Sequence, residues 1–171
     1  MTKAQRETQF QSWLKDHRRL LFKVVRAYAV LAEDQDDLFQ EICLQIWRSV
    51  DRFKGQAKLS TWLYRIALNT AISWERKTSR QQQIQHGADY RQYLLIETSE
   101  GMDERLSWLY DEIRRLNRVD RSILLLKLDG YSYQEVSEIL GISTNQLGVK
   151  LHRLKQQLSK RAEIFKTYGI H

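Results

Sequence analysis

SYQEVSEILGISTNQLGVKLHRLKQQL, residues 132–158, carries two helix starts in one short span. Ser132 is followed three residues later by Glu135, and Ser143 is followed at the same distance by Gln146. A hydroxyl residue with Glu or Gln three positions on predicts a capping box, in which side chains and backbone N–H groups satisfy one another at a helix N-terminus. Between the two starts Val136, Ile139 and Leu140 form one apolar face, Gly141 supplies a tight turn, and Ile142 tucks under both helices. Leu147, Leu151, Leu154 and Leu158 give the second helix a continuous buried stripe. Its remaining face offers Thr144, Asn145, Gln146, Lys150, Arg153 and Lys155, the amide and cationic groups that suit base edges and phosphates. A helix-turn-helix is predicted, with its second helix on duplex DNA, a motif shared by many regulators.

Upstream of this segment, Leu106, Leu109, Ile113 and Leu116 mark one amphipathic helix, and the apolar run Ile123 to Leu128 marks another that stops at Gly130. From Thr78 to Gly101 the periodicity fades. The stretch SRQQQIQHGADYRQ is polar enough to be an exposed connector, with a short apolar run within 90–96 that could dock locally. A flexible coil of about 24 residues averages roughly 25–30 Å between its ends. Two modules joined in this way could reach DNA sites on separate helical turns.

The N-terminal part has its own pattern. Phe10, Leu14, Leu21, Val24, Val25 and Tyr28 fall at spacings of three, four and seven, which predicts one amphipathic helix or two abutting ones. Glu33, Asp34, Asp36 and Asp37 open the next helix, where negative charge complements the helix dipole. Leu38, Ile42, Ile46 and Trp47 form its buried stripe, and it is expected to end near Val50. A loop of Phe53, Lys54, Gly55, Gln56, Ala57 and Lys58 leads to Ser60, an expected N-cap for a helix carrying Trp62, Leu63, Ile66 and Ala67 and running to about Lys77.

Composition agrees with this all-α reading. Proline is absent and glycine numbers 7 in 171 residues, so little breaks a helix. Cys43 is the single cysteine, which excludes an internal disulfide; flanked by Ile42 and Leu44, it reads as a packed thiol. Four scattered histidines suggest no metal site, and no cofactor is expected. The N-terminus MTKAQRETQF lacks the apolar stretch of a secretory signal and no run is long enough to span a bilayer, so the expected location is the cytoplasm. Lys and Arg number 28 against 21 Asp and Glu, a net charge of +7 that favours a polyanionic partner. Residues 1–80 and 105–171 are net basic and 81–104 net acidic, as expected of two nucleic-acid-binding modules and a connector that stays off the polyanion. The predicted architecture is therefore two small helical domains, 1–80 and 105–171, joined by a flexible linker over 81–104.

DDLFQEICLQIW, residues 36–47, followed by FKGQAKLSTWLYRIALNTAISWERK, residues 53–77, resembles region two of the extracytoplasmic-function group of bacterial RNA polymerase sigma factors. Residues from about Leu106 to Leu158 resemble region four of the same group, in the expected order. The resemblance implies a non-enzymatic subunit that binds core RNA polymerase and directs promoter-specific initiation. By position, Asp37, Leu38, Gln40, Glu41, Leu44, Gln45 and Trp47 match the helix that docks on a coiled coil of the largest polymerase subunits. Phe53 and the loop Lys54 to Lys58 match the element that captures a base flipped from the minus-ten strand, with Asn69 beside it to read a base edge. Arg65, Arg76, Lys77 and Arg80 would follow that strand. Thr144, Asn145, Gln146, Lys150, Arg153 and Lys155 match the face that meets the minus-thirty-five element. An anti-sigma factor is implied as a regulatory partner.

Three departures from the family pattern stand out. Leu116-Asn117 replaces a common Leu-Pro, Ser137 replaces a usual alanine, and Gly148 stands where a basic residue is common. Glycine in a helix costs up to about 1 kcal/mol relative to alanine, so Gly148 asks for a reason such as close approach to its backbone. The alternative function is a stand-alone helix-turn-helix regulator, which would use only the second module. A nuclease lacks support, because the sequence holds no phosphate loop, no HExxH and no carboxylate cluster suited to two metals.

Overall fold

The structure, a computed structural model, describes residues 1–85 and 103–168. All regular structure among them is helical, and the chain divides into two compact units, residues 1–107 and 108–171. Of the expected connector over 81–104, residues 86–102 lie outside the described residues.

In the first unit α1 spans Lys3–Tyr28, α2 Ala32–Ser49 and α3 Leu59–Gln85, with a single 3₁₀ turn at Val50–Arg52 before the loop to α3. The first pattern thus resolves into one continuous helix. Thr2 begins it through a reciprocal cap with Gln5, and the amide of Gln35 on α2 donates to the carbonyls of Ala29 and Val30 at its far end. The three helices pack pairwise on Leu21, Val24, Leu38, Ile42, Ile46, Leu63, Tyr64 and Leu68, none more than 1% exposed. Each fully buried aliphatic side chain contributes about 1.5–3 kcal/mol of transfer free energy.

Two sequence expectations fail here. Ser60 is not the N-cap of α3: the Lys58 carbonyl accepts the first helical bond, from Trp62, and Ser60 sits inside the first turn. The helix also continues past Lys77 to Gln85. Gln and Arg are good helix formers and no Gly or Pro intervenes, so propensity carries the helix on where the apolar periodicity has faded.

α4, Glu104–Arg115, crosses the boundary into the second unit, where α5 spans Arg118–Leu128, α6 Tyr133–Leu140 and α7 Thr144–Tyr168. Asn117, the substitute for proline, caps α5 by accepting from the Asp120 N–H at 3.0 Å, so the departure supplies a function of its own. Gly130, at φ +84°, turns the chain after α5 in the left-handed region where side chains are disfavoured. The core is aliphatic: Ile113, Ile123, Leu126, Val136 and Leu147 are at most 1% exposed. Two charged side chains are buried with it. Arg121 donates to the carbonyls of Arg114 and Leu116, closing the end of α4, and Glu112 accepts from Arg115 and Arg161. The hydroxyl of Ser137 is buried without a hydrogen-bond partner among the described residues.

Candidate nucleic-acid interface

Both capping boxes form. Ser132 and Glu135 exchange bonds of 2.8 and 3.1 Å, and Ser143 and Gln146 exchange two of 3.1 Å. Gly141 sits at φ +69°, ψ 29°, which turns α6 sharply into α7. With Leu147, Leu151 and Leu154 buried, the helical repeat aims Thr144, Asn145, Gln146, Arg153 and Lys155 outward, and all five are exposed. Lys150 behaves differently: half-buried, its Nζ reaches Asp120 Oδ1 on α5 at 3.3 Å, so it braces the motif from within and is partly neutralised. Val149 and His152, passed over in the sequence, share the outward face with Asn145. Their spacing of three and four from one another was the available signal.

On the first unit, Phe53 is not a free-standing wall. Its ring lies 5.4 Å from Trp13 and 5.1 Å from Trp62, and those two indoles are 5.5 Å apart, so one aromatic cluster anchors the start of the loop. From that anchor Lys54, Gly55, Gln56, Ala57 and Lys58 project into solvent, with Gly55 at φ +69°. Arg6 secures the other side. Its guanidinium donates to the Trp47 carbonyl at 2.6 Å, pairs with Asp51 at 3.3 Å and lies 4.5 Å over the Trp47 ring. Phe10 meets the Trp47 ring edge-on at 5.3 Å. Trp47 is therefore half-buried between α1 and α2, and Arg6 has no local sequence signal because its partners lie 41 or more residues away.

Leu38 is wholly buried and belongs to the core, which leaves no side-chain surface for a partner. Asp37 and Gln40 are exposed, Glu41 and Gln45 half-exposed, and Leu44, 39% exposed, is the apolar group on this face. Asp37, Glu41 and Gln45 from α2 and Asn69, Thr70, Ser73, Trp74 and Lys77 from α3 line one open groove of about 610 Å³. The structure thus brings Asn69 and Lys77 beside the acidic side chains of α2, where the sequence reading kept them apart. The Trp74 indole donates to Asp37 at 2.8 Å and the Gln45 amide to Glu41 at 2.9 Å, which fixes both carboxylates. Arg65 and Arg76 are exposed on α3. Near the start of α2, burial, then the charges of Asp37 and Glu33, raise the Asp34 carboxyl above its ordinary value. Burial likewise raises the half-buried Cys43 thiol.

A three-helix unit with a basic, aromatic-anchored loop, followed by a capped helix-turn-helix, defines a helical nucleic-acid-binding protein. Residues 13–81 match the family model Sigma-70 region 2, and residues 106–158 match Sigma-70, region 4. The chain is 29% identical over 133 residues to RNA polymerase sigma factor YlaC of Bacillus subtilis, covering 75% of this chain and 77% of that protein. It is 29% identical over 148 residues to the ECF RNA polymerase sigma factor SigX of the same organism, covering 81% and 76%. Against the ECF RNA polymerase sigma-E factor of Escherichia coli it is 25% identical over 142 residues, covering 76% and 74%. Among solved structures, the fold is similar to the sigma factor RpoE in complex with the anti-sigma factor NepR from Bartonella quintana, with TM-score 0.73, 20% identity and coverage of 91% and 98%. It is also similar to CnrH in complex with the cytosolic domain of CnrY, with TM-score 0.65, 19% identity and coverage of 92% and 90%. The chain belongs to the sigma-70 family, in its extracytoplasmic-function group.

Proposed function

We propose that this sigma factor binds core RNA polymerase through its first unit, holds upstream promoter duplex through its second, and stabilises strand opening by trapping an unstacked base. The protein performs no bond chemistry; nucleotide transfer belongs to the polymerase. The observation that carries this reading is the presence of both sigma regions, in order, in one chain. A stand-alone regulator needs only the second.

The acidic and amide groups of α2 around exposed Leu44 suit a basic helical partner, and α3 would extend that contact across the shared groove. The loop Lys54–Lys58 and Arg65, Arg76 and Lys77 supply phosphate contacts, with Asn69 as the base-reading amide. Lysine and arginine contacts make the affinity fall steeply with salt. The exposed residues of α7 take the major groove. An anti-sigma factor is the proposed regulatory partner, a reading supported by the complex in which RpoE is bound to NepR.

Purified core enzyme with this chain should initiate from a subset of templates in a multi-round transcription assay. Asn69→Ala should impair promoter opening, read with permanganate, more than core binding, read by co-elution. A chain that does not associate with core enzyme ends this reading.

A further inference from the structure

On α7 the outward stripe Asn145, Gly148, Val149 and His152 contains two residues that the fold itself does not explain. Val149 is 54% exposed in the second turn of a helix, where a β-branched side chain loses rotamer freedom and here gains little burial in return. Gly148 precedes it. A Cβ at position 148 would meet nothing within 4 Å, and its φ lies outside the positive range, so neither space nor backbone conformation requires glycine. Two adjacent helix positions thus carry residues unfavourable to the isolated helix, on the face that bears Asn145 and Arg153.

The ligand chemistry follows from the neighbours. Asn145 lies one turn before Val149, with an amide that pairs with adenine through both its groups. Arg153, one turn beyond Val149, is suited to phosphate or guanine. Between them a small apolar group faces out, and in the major groove the apolar feature of base-pair edges is the thymine 5-methyl. Glycine at 148 removes a side chain beside Val149, so the helix can sit closer to the base-pair edges. We infer that Val149 is a specificity-determining residue that packs its methyls on the 5-methyl of a thymine in the upstream promoter element, with Gly148 permitting the close approach. This rests on the second unit being the duplex-reading module.

The test uses holoenzyme reconstituted from core polymerase and the full chain, with an upstream element selected from a randomised template library. Each thymine of the selected element is replaced in turn by deoxyuridine, which lacks only the 5-methyl. Wild-type holoenzyme should lose about fourfold in promoter affinity at one position, the value of one buried methyl. Val149→Ala should bind the thymine template more weakly and show no deoxyuridine effect at that position, with thermal stability equal to or above wild type as the folding control. Gly148→Ala should weaken promoter binding while raising thermal stability, a pairing that a purely structural glycine would not produce. Equal deoxyuridine sensitivity in wild type and Val149→Ala, or none in wild type, overturns the assignment, and unweakened binding by Gly148→Ala overturns the close approach. Complete absence of promoter-dependent initiation removes the function and this inference together, and is distinguished by failing with every template.

Discussion

Trp13 sits against Phe53 and Trp62 in the first unit, whereas the second buries Ile123, Leu126, Val136 and Leu147 and closes its helix ends with side-chain caps. The aromatic cluster joins Trp13 to Phe53 and Trp62, 40 or more residues further along the chain; each cap spans three residues. Long-range rings hold a loop whose residues project outward, while local caps fix the starts of α6 and α7. Loop anchoring and helix orientation are different mechanical tasks, and each unit uses the interaction whose range fits its task.

The largest expected effect that would sharpen this contrast is Trp13→Ala, at about 3–5 kcal/mol, the usual cost of emptying a buried aromatic site. Hydrogen exchange should show the loss in peptides of α1–α3 and spare those of α5–α7; equal loss in both would break the comparison. Arg6→Ala comes next, at about 1.5–3 kcal/mol for a charged donor on a carbonyl. Urea unfolding should register it, with faster exchange at Val50–Lys58. Ser132→Ala should cost about 1 kcal/mol, with enhanced exchange confined to the start of α6. The smallest effect concerns Asp34. Its folded carboxyl holds a proton more readily than the unfolded one, so it subtracts stability above the raised value and ceases to do so as pH falls through 3.8. Asp34→Asn should therefore raise the melting temperature at neutral pH, with the gain disappearing in acid below the ordinary carboxylate range; a gain that persists there would contradict the assigned cause.

The same difference in range decides what the sequence could reveal. Ser132–Glu135, Ser143–Gln146 and Gly141 are local signals, so the helix-turn-helix and its outward face were legible almost residue by residue. Spacing alone marked buried Leu21, Val24, Val25 and Tyr28 on α1 and Leu38, Ile42 and Ile46 on α2; it missed buried Trp13 and named Phe10, Leu14 and Trp47, which are half-buried. Arg6 on Trp47, Trp74 on Asp37 and Lys150 on Asp120 were not, because each joins positions 30 or more residues apart. Leu38 shows the complementary error: family position placed it on a docking surface, yet its own periodicity with Ile42 and Ile46 marked it as core. The groove that unites Asp37 with Asn69 depends on how α2 lies along α3, which no periodicity encodes.

Gln146 illustrates how a cap restricts vocabulary. Its side-chain carbonyl already accepts the Ser143 N–H at 3.1 Å, so one of that oxygen's two lone pairs is taken and the amide is held toward the backbone. The two-pronged grip that glutamine usually makes on adenine needs both ends of the amide. While the cap holds, the Ser143 backbone and not the base pair sets the direction of this amide, and Asn145 is left as the one carboxamide among the named reading residues outside a capping box.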